Sequence, residues 1–130
     1  MTCKQAQQRP LSSETIMRRT QNNMMSFTVN TNQLSIDVKN TLNLLRNANR
    51  PVLLVGNGVR LSGAAPIFHK LIDKIKVPVL TSRRGADIIS NNHKLYFGRP
   101  GAYGQRAANF IIQNSDLLLC IGARLSIPQI

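Results

Sequence analysis

The sequence predicts an α/β protein built on a doubly wound parallel sheet, and three observations carry that prediction. The run Val52-Leu53-Leu54-Val55 is short, wholly apolar, and closed by Gly56-Asn57-Gly58. A second run, Leu117-Leu118-Leu119-Cys120-Ile121, is closed in the same way by Gly122-Ala123-Arg124. Continuous apolar runs, rather than alternating ones, mark strands covered on both faces. Between them lie segments of helical period, the crossover that parallel strands require. Strand, glycine turn, helix is also how α/β proteins bring backbone close to a phosphate.

Residues 1–30 mix Gln, Ser and Arg without sustained period and read as a poorly structured tail. Thr31 or Asn32 offers a helix cap, and Leu34, Val38, Leu42 and Leu45 then share one helical face. The helix ends near Asn47-Ala48-Asn49, because Pro51 bars continuation. The first strand is Val52 to Val55. A second helix starts after Ser62-Gly63 and buries Ile67, Phe68, Leu71, Ile72 and Ile75. The second strand is Val77 to Thr81, with Pro78 near its start, where a missing N–H is tolerated. Ser82-Arg83-Arg84-Gly85 is a loop, and Leu95-Tyr96-Phe97 a short strand. Gly98 to Gly104 is a glycine-rich loop. Gln105 to Asn114 is a third helix, burying Ala107, Ala108, Phe110, Ile111 and Ile112. The final strand is Leu117 to Ile121. A doubly wound sheet continues with a further helix and strand, so the domain reads as incomplete at its C-terminus.

With 130 residues and 42% hydrophobic content the chain can bury one modest core. No apolar run reaches the length of a membrane span, and no secretory signal opens the chain. Cys3 and Cys120 are far apart, and Cys120 lies within a strand, which fits a free thiol and a reducing, cytoplasmic setting. The net charge of +12 invites a nucleic-acid partner. That charge is spread along the chain, and two Tyr and four Phe offer few stacking platforms, so a solvated basic surface or an acidic partner domain is the better account.

The chemistry-bearing motifs exclude more than they assign. Gly56 and Gly58 supply two glycines of G-x-G-x-x-G, but Leu61 stands at the third position. The acidic residue that would bind a ribose after the second strand is replaced by Thr81, Ser82, Arg83 and Arg84, which disfavours a standard NAD site. The arginines suit a phosphate, or plain solvation. Gly56 and Gly58 serve equally for a tight turn and close packing. His69 and His93 have no second ligand at metal spacing, and no serine sits in a nucleophile elbow. No catalytic residue is assigned.

The ordered set Arg50-Pro51-Val52-Leu53-Leu54-Val55-Gly56-Asn57-Gly58-Val59, Val77-Pro78-Val79-Leu80-Thr81, Gly98-Arg99-Pro100-Gly101, and Asn114-Ser115-Asp116-Leu117-Leu118-Leu119-Cys120-Ile121-Gly122-Ala123-Arg124-Leu125 resembles the central domain of thiamine-diphosphate-dependent enzymes. Within them, it is most similar to the acetolactate synthase large subunit. The likeness runs through residues 34–130.

The resemblance implies a DHS-like NAD/FAD-binding type of fold over 31–130, flanked in the full enzyme by pyrimidine- and diphosphate-binding domains. It implies action on 2-oxo acids, a homo-oligomer, and thiamine diphosphate with Mg²⁺ held outside this chain, which has no G-D-G motif. This central domain alone is then inactive. Carried over by position, nucleotide contacts fall at Gly56, Asn57 and Gly58; at Thr81, Ser82 and Arg83; at Gly98 and Arg99; and at Gly122, Ala123 and Arg124. Acetolactate synthases bind FAD in this domain and some relatives bind ADP. Here Leu125-Ser126-Ile127-Pro128-Gln129 departs from the family's pattern, as does Gly56-Asn57-Gly58 in place of three glycines. These departures favour an empty, vestigial site over bound FAD or ADP. The alternative is a stand-alone nucleotide- or nucleic-acid-binding module.

Overall fold

The structure is a computed structural model and describes residues 30–125; the tail expected over residues 1–30 lies, except for Asn30, outside them. The chain divides into two compact units, Met1–Ile36 and Asp37–Ile130. In the first, the described residues are Asn30 and the opening turns of α1 (Thr31–Asn47). Asn30, not Thr31 or Asn32, caps this helix: its Oδ1 accepts the N–H groups of Asn32 at 3.1 Å and Gln33 at 3.3 Å.

In the second unit, β1 (Pro51–Val55), β2 (Val79–Thr81) and β3 (Leu117–Ile121) form a parallel sheet in the order β2-β1-β3. Strand β2 begins two residues later than the apolar run suggests. Pro78 has no N–H to give the ladder, although its carbonyl accepts the Leu53 N–H at 2.9 Å. The short strand expected at Leu95–Phe97 is a single parallel bridge, Tyr96 to Val79. Val79 donates to the Leu95 carbonyl (2.7 Å) and Phe97 to the Val79 carbonyl (3.1 Å), which lengthens the sheet beyond β2.

The single helix expected after Gly63 is preceded by a separate turn, α2 (Gly58–Leu61); α3 follows (Ala65–Ile75). Gly63 sits at φ +71°, where the chain leaves helical geometry, and Pro66 restarts it in the first turn of α3. A 3₁₀ turn (Arg83–Gly85) follows β2, and α4 (Arg106–Gln113) precedes β3.

Side chains alternate across the sheet, as the pleat requires. Leu53, Val55 and Val79 face one core with Phe68 and Ile72 of α3; Val52, Leu54 and Leu80 face another with Ala108 of α4. Both faces are therefore covered, which is the doubly wound arrangement. Three helix positions depart from expectation. Ile67 is 72% exposed and Phe110 66%, and Ala107 is also exposed. A short helix buries one narrow stripe: Ala108, Ile111 and Ile112 occupy it in α4, leaving Ala107 and Phe110 on the flanks. Helix α1 has no buried residue, and Val38 and Leu42 stay largely exposed beside a small apolar cavity, about 200 Å³, shared with Leu71, Ile75 and Leu119.

Candidate functional site

Register sets the site. Val55 is level with Thr81 in β2 and with Ile121 in β3, so all three strands end on one edge. The turns Gly56-Asn57-Gly58, Ser82 to Gly85 and Gly122 to Arg124 leave from that edge together. Thr81 donates its N–H to the Gly98 carbonyl at 3.0 Å, which brings the glycine-rich loop to the same place. These segments enclose a cleft of about 870 Å³. Asn57 and Gly58 line it from the first turn, Ser82, Arg83 and Arg84 from the second, and Gly122 and Arg124 from the third. Arg99, Pro100, Gly101, Tyr103 and Gly104 complete it from the loop. The crevice outside the carboxyl ends of the strands is where open α/β sheets bind ligands.

The glycines of the first and last turns are explained by each other. Gly56 donates its N–H to the Ile121 carbonyl and Gly58 donates to the Gly122 carbonyl, each at 2.9 Å. A Cβ on Gly58 would stand 2.8 Å from Gly122 Cα, and one on Gly122 would stand 2.6 Å from the Val59 nitrogen. Gly122 also adopts φ +59°. The two turns interlock backbone to backbone, with no room for side chains.

The glycine-rich loop is held by α4 and the residue before it. Gln105 donates its N–H to the Arg99 carbonyl (2.8 Å), and its Oε1 accepts the Arg99 N–H (2.6 Å). Asn109 accepts the Gly101 N–H at 2.7 Å and donates to the Gly101 carbonyl at 3.1 Å. Gly104 donates to the Gly101 carbonyl at 2.9 Å, closing a turn that presents Tyr103.

Charge is one-sided here. Arg83, Arg84, Arg99 and Arg124 line the cleft, and among the described residues none of their guanidinium groups meets a carboxylate. Asp87 is taken by Arg60. Asp116 lies at the opposite end of the sheet, where its carboxylate accepts the N–H groups of Asn49 and Arg50, both at 2.8 Å. Partial desolvation pushes that carboxyl up, but the N–H donors of Arg50 and Asn49 and the Arg50 charge outweigh it and hold the group below the usual aspartate range. Burial pushes the Cys120 thiol up, and Cys120 sits within β3 away from the cleft lining, so it is no nucleophile for this site. One polar atom of the cleft wall is orphaned: Asn57 Oδ1 is buried with no hydrogen-bond partner among the described residues.

Seven of the eleven residues expected at a nucleotide line this cleft: Asn57, Gly58, Ser82, Arg83, Arg99, Gly122 and Arg124. The other four sit behind it. Gly56 is packed under Gly122, and Thr81 is fully buried with its hydroxyl 3.1 Å from the Tyr96 hydroxyl. Gly98 gives its carbonyl to β2, and Ala123 packs on the core beside Leu80 and Ala108. Arg84, offered with Arg83 as a phosphate contact but not carried over by the resemblance, lines the cleft as well. Sequence reasoning missed Tyr103, whose signal was an aromatic ring in a glycine-rich turn.

The residues fit a phosphate-bearing ligand: four arginines line one cleft, and among the described residues none of them meets a carboxylate. They do not fit a Mg²⁺–diphosphate centre. Among the described residues no three His, Cys, Asp or Glu side chains gather to hold a metal. Nor is any described helix long and apolar enough to cross a membrane.

Comparison with known proteins matches residues 38–129 to the family described as the thiamine pyrophosphate enzyme, central domain. The chain is 40% identical over 89 residues to a probable acetolactate synthase large subunit of Methanococcus aeolicus, covering 68% of this chain and 15% of that protein. It is 33% identical over 88 residues to the acetolactate synthase isozyme 2 large subunit of Escherichia coli, covering 68% and 16%. It is 35% identical over 89 residues to a 3D-(3,5/4)-trihydroxycyclohexane-1,2-dione hydrolase of Geobacillus thermodenitrificans, covering 68% and 14%. The matched segment thus spans about 15% of the length of such relatives.

Proposed function

The chain belongs to the thiamine pyrophosphate enzyme family, as its central domain, and from that premise we propose that it serves an acetolactate-synthase-like enzyme by binding the diphosphate of a nucleotide at its strand ends. The observation that carries this reading is the set of four arginines, Arg83, Arg84, Arg99 and Arg124, around one cleft without a carboxylate among the described residues. Guanidinium groups stay charged and grip phosphate oxygens in pairs. Collecting them unpaired costs self-repulsion, which an anion relieves. The sequence departures at Leu125–Gln129 favour a vestigial site, but residues 126–130 lie outside the described residues. The open, cationic cleft supports a working one, with ADP or FAD as its occupant.

In this reading the domain performs no chemistry itself. Carbon–carbon bond chemistry on 2-oxo acids belongs to thiamine diphosphate and Mg²⁺ in adjacent pyrimidine- and diphosphate-binding domains of a cytoplasmic homo-oligomer. Calorimetric titration of the chain with ADP tests the site, and an absorbance spectrum tests for flavin. Micromolar ADP binding that weakens with salt supports the proposal; no heat with ADP and no flavin band returns the site to the vestigial reading.

The charge of +12 supports a second reading, a nucleic-acid-binding module. Titration with single-stranded RNA at two salt concentrations separates them, since only that reading expects binding that falls steeply with salt and saturates over many nucleotides.

A further inference from the structure

Helices α1 and α3 enclose an apolar groove that the nucleotide reading leaves unused. Val38, Leu42 and Leu45 of α1 form one wall, Leu71 and Ile75 of α3 the other, and Leu119 and Ile121 of β3 the floor. All of these residues belong to the second compact unit. The one hydroxyl among them, Thr41, already donates to the Asp37 carbonyl at 2.8 Å. The lining therefore offers contact but no hydrogen bond to an occupant. Val38 and Leu42 are 48% and 40% exposed, although they belong to the stripe that an amphipathic helix covers. The line continues past the groove to Ile67, one turn before Leu71 on α3.

The charges beside this line have one sign. At 100° per residue, the order around α3 runs Ile75, Leu71, Ile67, Lys74, Lys70, and around α1 it runs Val38, Leu42, Arg46, Lys39. Lys39, Arg46, Lys70 and Lys74 are exposed, and among the described residues none of them meets a carboxylate. The two aspartates of these helices fall on other flanks. Asp37 lies beyond Thr41, and Asp73 stands 3.9 Å from His93.

An apolar line with basic borders suits a partner of the opposite pattern. The chain itself cannot supply one: its five acidic residues, Glu14, Asp37, Asp73, Asp87 and Asp116, are spread singly along the sequence. That argues against a second copy and against the chain's own first residues as the cover. A groove also receives projecting side chains better than it receives a flat lipid surface. We propose that the α1–α3 groove docks an acidic amphipathic helix from a different polypeptide segment. Its large apolar side chains, spaced three and four apart, enter between the two walls, and its carboxylates meet Lys39, Arg46, Lys70 and Lys74. The proposal is independent of whether the arginine-lined cleft binds a nucleotide.

The test uses the full chain and a synthetic helical peptide with leucines on one face and glutamates on both flanks. Methyl signals of Val38, Leu42 and Leu71 should shift on titration, while those of Leu54 and Leu80, on the other sheet face, should not. A peptide with lysine flanks should bind about tenfold more weakly, and a scrambled glutamate peptide likewise. The double variant Lys70→Glu/Lys74→Glu changes exposed positions only and should reverse the preference between the glutamate and lysine peptides. Absence of binding, equal affinity for the scrambled peptide, or shifts confined to residues around the arginine-lined cleft would overturn the proposal. So would binding to phosphatidylserine vesicles without binding to the peptide, which would assign this face to a bilayer instead.

Discussion

Gly58 hands its backbone N–H to the carbonyl of Gly122 at 2.9 Å, and this one bond joins the turn after β1 to the turn after β3. It makes the floor of the cleft a structural contact first and a ligand contact second. A Cβ at Gly58 would press within 2.9 Å of the Gly122 oxygen, which is backbone and cannot swing aside. Gly58→Ala should therefore lower stability by about 1–3 kcal/mol through overpacking. Urea unfolding measures it, and a fall in midpoint at unchanged slope is the expected signature.

Arg124→Ala should weaken ADP binding by roughly tenfold or more, the worth of a charge-assisted hydrogen bond to phosphate. Arg99→Ala should act in the same direction. Because Arg124 is exposed and Arg99 partly so, both losses should shrink as salt rises. Calorimetry at two ionic strengths reads this, and a mutant loss independent of salt would contradict it.

Asp116 clips the chain ahead of β1 to the start of β3 through the Asn49 and Arg50 N–H groups. Its folded pKa is depressed, so the unfolded state holds the proton more tightly. The stabilisation is present above the unfolded value, about 3.9, and is lost as pH falls through the folded one. Asp116→Asn should lower stability at neutral pH and flatten the acid limb of the stability curve. Urea midpoints from pH 2 to 6 provide the check.

Ala108, on the inner face of α4, is fully buried in one cluster with Leu54 and Leu80. Ala108→Leu should cost about 1–3 kcal/mol, since no void waits for the added carbons. Phe110→Ser on the exposed flank of the same helix should change thermal stability little. A reversed order would show that α4 packs by its other side.

Cys120 is half-buried within β3 and its thiol is held above its ordinary pKa. In a Cys3→Ser background, alkylation at mildly basic pH should be slow while the chain is folded and should accelerate in denaturant, as mass spectrometry over time would record.

The strands were legible because β1 and β3 are unbroken apolar runs, and a run covered on both faces has no polar position to hide. The edge that gathers the site was legible for the same reason: parallel strands must end together. What stayed hidden was lateral extent. Ile67 and Phe110 carry the period of a buried face, but period states which residues suit burial, not which find a neighbour. Thr81 and Gly98 have the chemistry of ligand contacts and are spent holding β2 to the segment from Tyr96 to Gly98. Tyr103 reaches the cleft through the shape of the glycine-rich loop, which follows from the Asn109 and Gln105 bonds and not from any local period.

Because the cleft is stitched from turns distant in sequence, an unfolded chain owns no fragment of it. A ligand that binds there binds the native state alone, and mass action then ties occupancy to folding. At one hundred times its dissociation constant such a ligand adds about 2.7 kcal/mol to stability. For a small sheet with a half-buried edge strand, that is a large share of what natural domains possess. A nucleotide bound as proposed would then stabilise the folded chain as well, and proteolysis would slow as its concentration rises.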